Sequence, residues 1–133
     1  MARPAAAMLL ALAWIPHAAA HSCPSFAGQE WEFTGHLVNR IYPGPPDYKS
    51  VTSGDEPIVR WYVQLAWPAC FAEYRDISRF QLALTPEEVD RYSQFLGKAI
   101  RVTGTLVEGS SGYTTSLVMH VSGLVRYAPR ATP

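Results

Sequence analysis

The sequence predicts an all-β domain with one helix, a five-stranded Greek-key barrel whose elements run three strands, helix, two strands. Three observations carry that expectation. Much of the chain after residue 30 alternates apolar and polar residues with period two, as half-buried strands do. A single segment, Thr85 to Gly97, has helical punctuation at both ends. Two long strands each carry an interior glycine, Gly35 and Gly104, within similar local sequences, and strand glycines often mark a tight bend at a barrel corner. Five strands with a helix between the third and fourth describe the OB-fold.

The first strand begins near Trp31, with Trp31, Phe33, Gly35 and Leu37 on one side and Glu32, Thr34, His36 and Val38 on the other. A second runs from Arg60 to Trp67, where Trp61, Val63, Leu65 and Trp67 share a face opposite Arg60, Tyr62, Gln64 and Ala66, and Pro68 closes it. A third, Arg79 to Leu84, sets Phe80, Leu82 and Leu84 in phase. The helix follows: Thr85 can cap it, Pro86 fits the first helical position, Glu88 completes a capping box, and Gly97 fits the position just past its end. Val89, Tyr92 and Leu96 form its apolar stripe. The fourth strand alternates Ile100, Val102, Gly104 and Leu106 with Arg101, Thr103, Thr105 and Val107. A turn at 108–112 leads to a fifth from about Tyr113 to Val121, with an extension toward Tyr127.

Residues 1–20 are expected to be a cleavable export signal. Arg3 precedes an apolar run from Ala5 to Ile15, and Ala18-Ala19-Ala20 offers small residues at the cleavage site. About eleven apolar residues are too few to span a bilayer, which needs roughly 20 in a helix, so no transmembrane segment is expected after cleavage. A lipoprotein is disfavoured because Ala20-His21-Ser22 before Cys23 lacks a leucine-like residue at −3. Cleavage after residue 20 of 133 leaves a chain of 113, the size of one domain. It would span residues 21–127, with 128–133 a flexible tail, and sit in the periplasm or outside the cell.

Export brings an oxidising environment, in which Cys23 and Cys70 would form a structural disulfide; a free thiol or an intermolecular bridge are the alternatives. Without Arg3, ten Lys and Arg face eleven Asp and Glu. That balance, with export, argues against nucleic acid, whose binders carry a basic excess or stripe.

The connection from Ile41 to Val59 is long for a hairpin and rich in Pro, Gly and charge, and such loops are frequently functional. In OB-folds the first and last inter-strand loops flank the face of strands two and three that takes the ligand. The candidate ligand-binding residues are therefore Tyr42, Asp47, Tyr48, Asp55 and Glu56 from the first loop, Tyr62 and Gln64 from the second strand, and Tyr113 from the last loop. Tyrosine rings beside carboxylates suit sugar stacking or a protein partner. The competing reading is that Gly44-Pro45-Pro46-Asp47-Tyr48 is turn chemistry and the tyrosines merely cover a barrel end.

No catalytic constellation, cofactor motif or metal set is legible. There is no Gly-x-Ser-x-Gly elbow and no phosphate-cradling glycine loop. Once His17 leaves with the signal, His21, His36 and His120 lack ligand spacing; a terminal His21 that chelates copper is a minor alternative. Asp47, Asp55 and Glu56 read as acids of a solvated loop.

Two segments resemble a known family. Gly44 to Pro57, followed by Trp61-Tyr62-Val63-Gln64-Leu65 and Pro68-Ala69-Cys70, looks like the signature of exported bacterial domains grouped as domain of unknown function 4431, and Gly97 to Leu106 is similar to that family's second motif. The resemblance spans about Phe33 to Val121 and implies bacterial origin, export and an OB-like barrel. It carries no established activity. Family members often place a histidine-rich turn after the Gly-Thr-Leu strand, where this chain has Ser111-Gly112-Tyr113-Thr114-Thr115, so no metal role transfers.

The expected function is an exported, non-enzymatic OB-like module that binds an envelope protein or a glycan. The alternatives are an envelope structural or stress protein that binds a small ligand or cation, and, third, a hydrolase.

Overall fold

A computed structural model describes residues 22–110 and 113–128. Residues 1–20, where an export signal is expected, His21, residues 111–112 and residues 129–133 lie outside the described residues. Five strands, β1 (Glu30–Pro43), β2 (Pro57–Ala69), β3 (Ile77–Ala83), β4 (Ala99–Glu108) and β5 (Leu117–Arg126), and one helix, α1 (Pro86–Tyr92), follow the expected order. The strands close into a barrel in the order β1-β2-β3-β5-β4, with β3 and β5 parallel and the remaining pairs antiparallel. This is the OB-like arrangement.

Closure requires β1 to change neighbours. Its first half pairs with β4, from Glu30↔Thr105 to His36↔Ala99, and its second half with β2, from Gly35↔Leu65 to Pro43↔Pro57. Gly35 sits where both ladders overlap, and a Cβ there would collide with the Gln64 carbonyl oxygen. Gly104 has the matching role in β4: it faces Trp31 of β1 and Val121 of β5 beside a bulge, and its Cβ would meet the His120 carbonyl oxygen. The similar sequences around the two glycines thus serve two similar close approaches.

The inward side chains Leu37, Val63, Phe80, Ile100, Val102, Leu117 and Met119 are fully buried, each worth about 1.5–3 kcal/mol relative to exposure. Around the start of β1, Trp31 meets Phe71 edge-on at 5.1 Å and Phe33 lies 4.9 Å from Phe80. The Trp31 indole donates to the Phe26 carbonyl at 2.9 Å. The Cys23–Cys70 disulfide forms, 47 residues apart in sequence, and ties the entering chain to this aromatic cluster. A covalent loop of that length stabilises by about 4 kcal/mol on a chain-entropy argument.

The α1 capping box is complete: the Thr85 hydroxyl accepts from the Glu88 amide at 3.2 Å and the Glu88 carboxylate from the Thr85 amide at 3.1 Å. After Tyr92 the chain tightens into a 3-10 turn, Ser93–Phe95, and Gly97 ends it at φ 76°.

Four expectations are corrected. The 3-10 turn has three residues per turn, so Phe95 and not Leu96 follows Tyr92 into the core, and Leu96 is exposed. Trp67 is 82% exposed, because the β2–β3 pairing is irregular between Gln64 and Ala69 and its alternation breaks there. The first connection is shorter than Ile41 to Val59, since Ile41, Tyr42 and Pro43 remain paired to Val59, Ile58 and Pro57. Tyr113 precedes β5, which begins at Leu117.

Candidate ligand-binding face

The β1–β2 loop, residues 44–56, is organised by Asp55. Its side chain turns inward, 5% exposed, and accepts from the backbone N–H groups of Asp47, Lys49 and Ser50 at 3.0, 2.7 and 2.8 Å. Those N–H groups, Ser50 and Lys49 foremost, hold its carboxyl below the usual range against the opposing effect of burial. Asp55 is therefore the anchor of the loop. Asp47, Tyr48 and Glu56 point outward from it, Tyr48 being 55% exposed.

Three of the expected tyrosines come together. Tyr42 and Tyr113 stack at 4.4 Å with nearly parallel rings. The Tyr62 hydroxyl donates to the Tyr42 hydroxyl at 3.1 Å, and the Tyr113 hydroxyl donates to the Pro43 carbonyl at 3.0 Å. Tyr62 lies on the outer side of β2 yet is buried, its ring covered by the Arg79 guanidinium at 4.7 Å. Burial first, then the bond to Tyr42, pushes its hydroxyl up to about 12, against the lowering effect of Arg79 and Arg60. This cluster ties the Pro43 end of β1 and the middle of β2 to the last loop. Gln64 lies further along β2, where its amide donates to the Ser78 carbonyl at 3.0 Å.

Register sets the rest of the outer face. Val38, Tyr62, Gln81 and Val118 form one cross-strand row, and His36, Gln64 and Arg79 another. Arg40 faces Arg60, and Ala83 faces His120. Sequence reasoning did not single out Arg60, Arg79, Gln81 or His120 as site residues. The outward phase of Arg60, Tyr62 and Gln64 was visible, but only the pairing of β3 with both β2 and β5 shows which side chains stand beside them.

Beyond Trp61↔Leu82 the ladder between β2 and β3 ends, because β3 turns off into α1. The two strands part around a cleft of about 760 Å³, lined by Val59, Arg60 and Trp61 on one side, Gln81 to Thr85 on the other, and Val89 and His120. Two polar atoms of residues that line this cleft, Arg60 Nε and Gln81 Oε1, are buried without a hydrogen-bond partner. The Gln81 residue is only 7% exposed. Orphaned buried groups of this kind cost about 1–3 kcal/mol each, and native structures hold few of them.

Among the described residues, no group of three His, Cys, Asp or Glu side chains is placed to hold a metal, and His36 and His120 are both exposed. The two carboxylates with clear shifts, Asp55 and Glu73, are both lowered, the latter chiefly by the Ser25 hydroxyl, which is opposite to what a general acid requires.

Residues 79–123 match the model of the family described as Domain of unknown function (DUF4431), roughly a third of the chain. Over these residues the chain is similar to that family. The matched stretch contains the second of the two segments singled out in the sequence, Gly97 to Leu106, and excludes the first, Gly44 to Pro57. It carries Arg79, Gln81, Tyr113 and His120 of the candidate face, whereas Tyr42, Arg60 and Tyr62 precede it. No curated protein and no solved structure matches the chain.

Proposed function

We propose that this chain is an exported binding module that holds a protein partner on the outer face of β2 and β3, at the cleft where the two strands part. The observation that carries the reading is the pair of buried, unpartnered atoms at that cleft, Arg60 Nε and Gln81 Oε1. Buried donors and acceptors are rarely left unmet, and one of each on residues that line a single cleft is a reason to look for a ligand there.

Export is supported by the signal-like residues 1–20 and by the Cys23–Cys70 disulfide, a bond that persists in oxidising compartments. Among the described residues, no helix is long and apolar enough to cross a membrane. A protein partner is favoured over a glycan because the tyrosine rings are turned toward one another. Tyr42 and Tyr113 cover each other, Arg79 covers Tyr62, and Tyr48 alone of the four presents most of its ring. The cleft carries Arg60 and His120 and no carboxylate among its lining residues, which also speaks against a cation as the ligand.

The test is affinity capture from an envelope extract with the oxidised wild-type chain and with the Arg60→Met, Gln81→Leu double variant. The expected result is a protein retained by the wild type and lost by the variant, with both folded by circular dichroism. Identical retention by the two would sink the reading.

A further inference from the structure

The edge of β2 narrows the choice of partner. β2 stays paired with β1 through Ile41↔Val59 to Pro43↔Pro57, but on its other side pairing with β3 stops at Trp61↔Leu82. Among the described residues, Pro57 to Arg60 therefore has no strand beside it on the cleft side. Ile41 and Val59, directly opposite each other on this projecting ribbon, are 64% and 44% exposed. Free strand edges pair readily with another chain, and proteins usually protect them with proline or charge. Pro57 and Arg60 serve that purpose, yet edge protection does not account for two buried polar atoms left without partners.

The chemistry of those atoms selects among ligands. Arg60 Nε–H can only donate, and Gln81 Oε1 can only accept. A carboxylate would satisfy the first and leave the second unmet, and an ammonium would do the reverse. One amide satisfies both, its C=O accepting from Arg60 and its N–H donating to Gln81. Resting on the reading of the cleft as a binding site, we propose that the partner enters as an extended peptide segment laid along the Pro57–Arg60 edge of β2, one backbone amide held between Arg60 and Gln81. An apolar side chain of that segment packs against Val59, Trp61, Leu84 and Val89. The positive charge of Arg60 and of Arg40 opposite it, with no acid lining the cleft, disfavours Lys and Arg in the segment. This is recognition by strand addition, in which backbone hydrogen bonds supply affinity and a side-chain pocket supplies selectivity.

The proposal is tested by panning a random linear dodecapeptide phage library on the full oxidised chain and titrating the synthesised winner calorimetrically. Chitotriose, which also carries amides, is the glycan probe. The expected winner has an apolar centre without flanking Lys or Arg. Gln81→Leu and Arg60→Met should each weaken it about tenfold or more, whereas Trp67→Ala should leave its affinity unchanged. N-methylation of a single backbone amide should abolish binding. Both cleft variants replace an orphaned polar group with an apolar one, so their melting temperatures should hold or rise, which separates lost binding from lost fold. Selection of no peptide sensitive to both variants overturns the peptide proposal. If chitotriose instead binds in a manner sensitive to both, the peptide fails as ligand while the cleft stands as the site. If neither probe responds to either variant, the peptide proposal and the reading of the cleft fall together.

Discussion

At the Glu30 end of β1 the protein packs Phe26, Trp31, Phe33, Phe71 and Phe80 ring against ring and adds a covalent tie between Cys23 and Cys70. At the Pro43 end the rings are tyrosines that point hydroxyls at one another, the adjoining loop is gathered around a buried carboxylate, and a cleft holds polar atoms without partners. One strand thus links an end built from non-directional apolar contact and one built from directional bonds, some of them unmade. Apolar burial and the disulfide supply stability at the first end; the second gives up some of that stability to polar groups left unpaired.

The sharpest way to break the comparison is at the disulfide. Replacing both Cys23 and Cys70 with serine should cost about 4 kcal/mol, read by urea denaturation, while the Tyr42–Tyr113 stack persists in the surviving native state. If stability does not fall, the first end is not the stabilising one. Gly104→Ala comes next, because its Cβ would strike the His120 carbonyl; a loss of about 1–3 kcal/mol is expected in the same measurement.

Tyr62→Phe sharpens the contrast from the other side. It removes the hydroxyl that bridges to Tyr42 and should cost only about 1 kcal/mol. In the wild type the raised Tyr62 pKa, about 12, means that the fold favours the protonated phenol. Its contribution is intact below about pH 10, the ordinary tyrosine value, and is lost as pH rises from there through 12. Absorbance titration near 295 nm should show one late-ionising tyrosine that the variant lacks. Asp55 has the opposite sign. Its lowered pKa makes its hold on the loop complete above about pH 4 and lost as pH falls further. Hydrogen-exchange protection factors at the Lys49 and Ser50 amides, taken against the unstructured-chain rate at the same pH, should fall in acid and in Asp55→Asn, with little change in the barrel strands.

The barrel was legible because its signals are local. Period-two alternation, the Thr85–Glu88 capping box and the paired Gly35 and Gly104 contexts each act within a few residues, and each agrees with the structure. The candidate face was legible only where it is also local: the loop tyrosines announced themselves, and Tyr42, Tyr62 and Tyr113 do meet. Asp55 looked like one solvated acid among three, because nothing in the sequence says that its carboxylate folds back onto three amides. Gln81 and His120 were invisible as site residues for a different reason. Their neighbourhood is made by the parallel pairing of β3 with β5, a contact between segments nearly forty residues apart that no spacing along the chain encodes.

The Cys23–Cys70 bond encloses β1, the first loop and β2 in a single covalent ring. A protease that cuts anywhere between Gly44 and Glu56 opens this ring without releasing either piece, since the fragments stay joined through the two sulfurs and through the ladder from Gly35↔Leu65 to Pro43↔Pro57. The exposed loop can therefore be nicked and the two halves of the hairpin remain tethered, which turns a bond first seen as a stabiliser into insurance against cleavage.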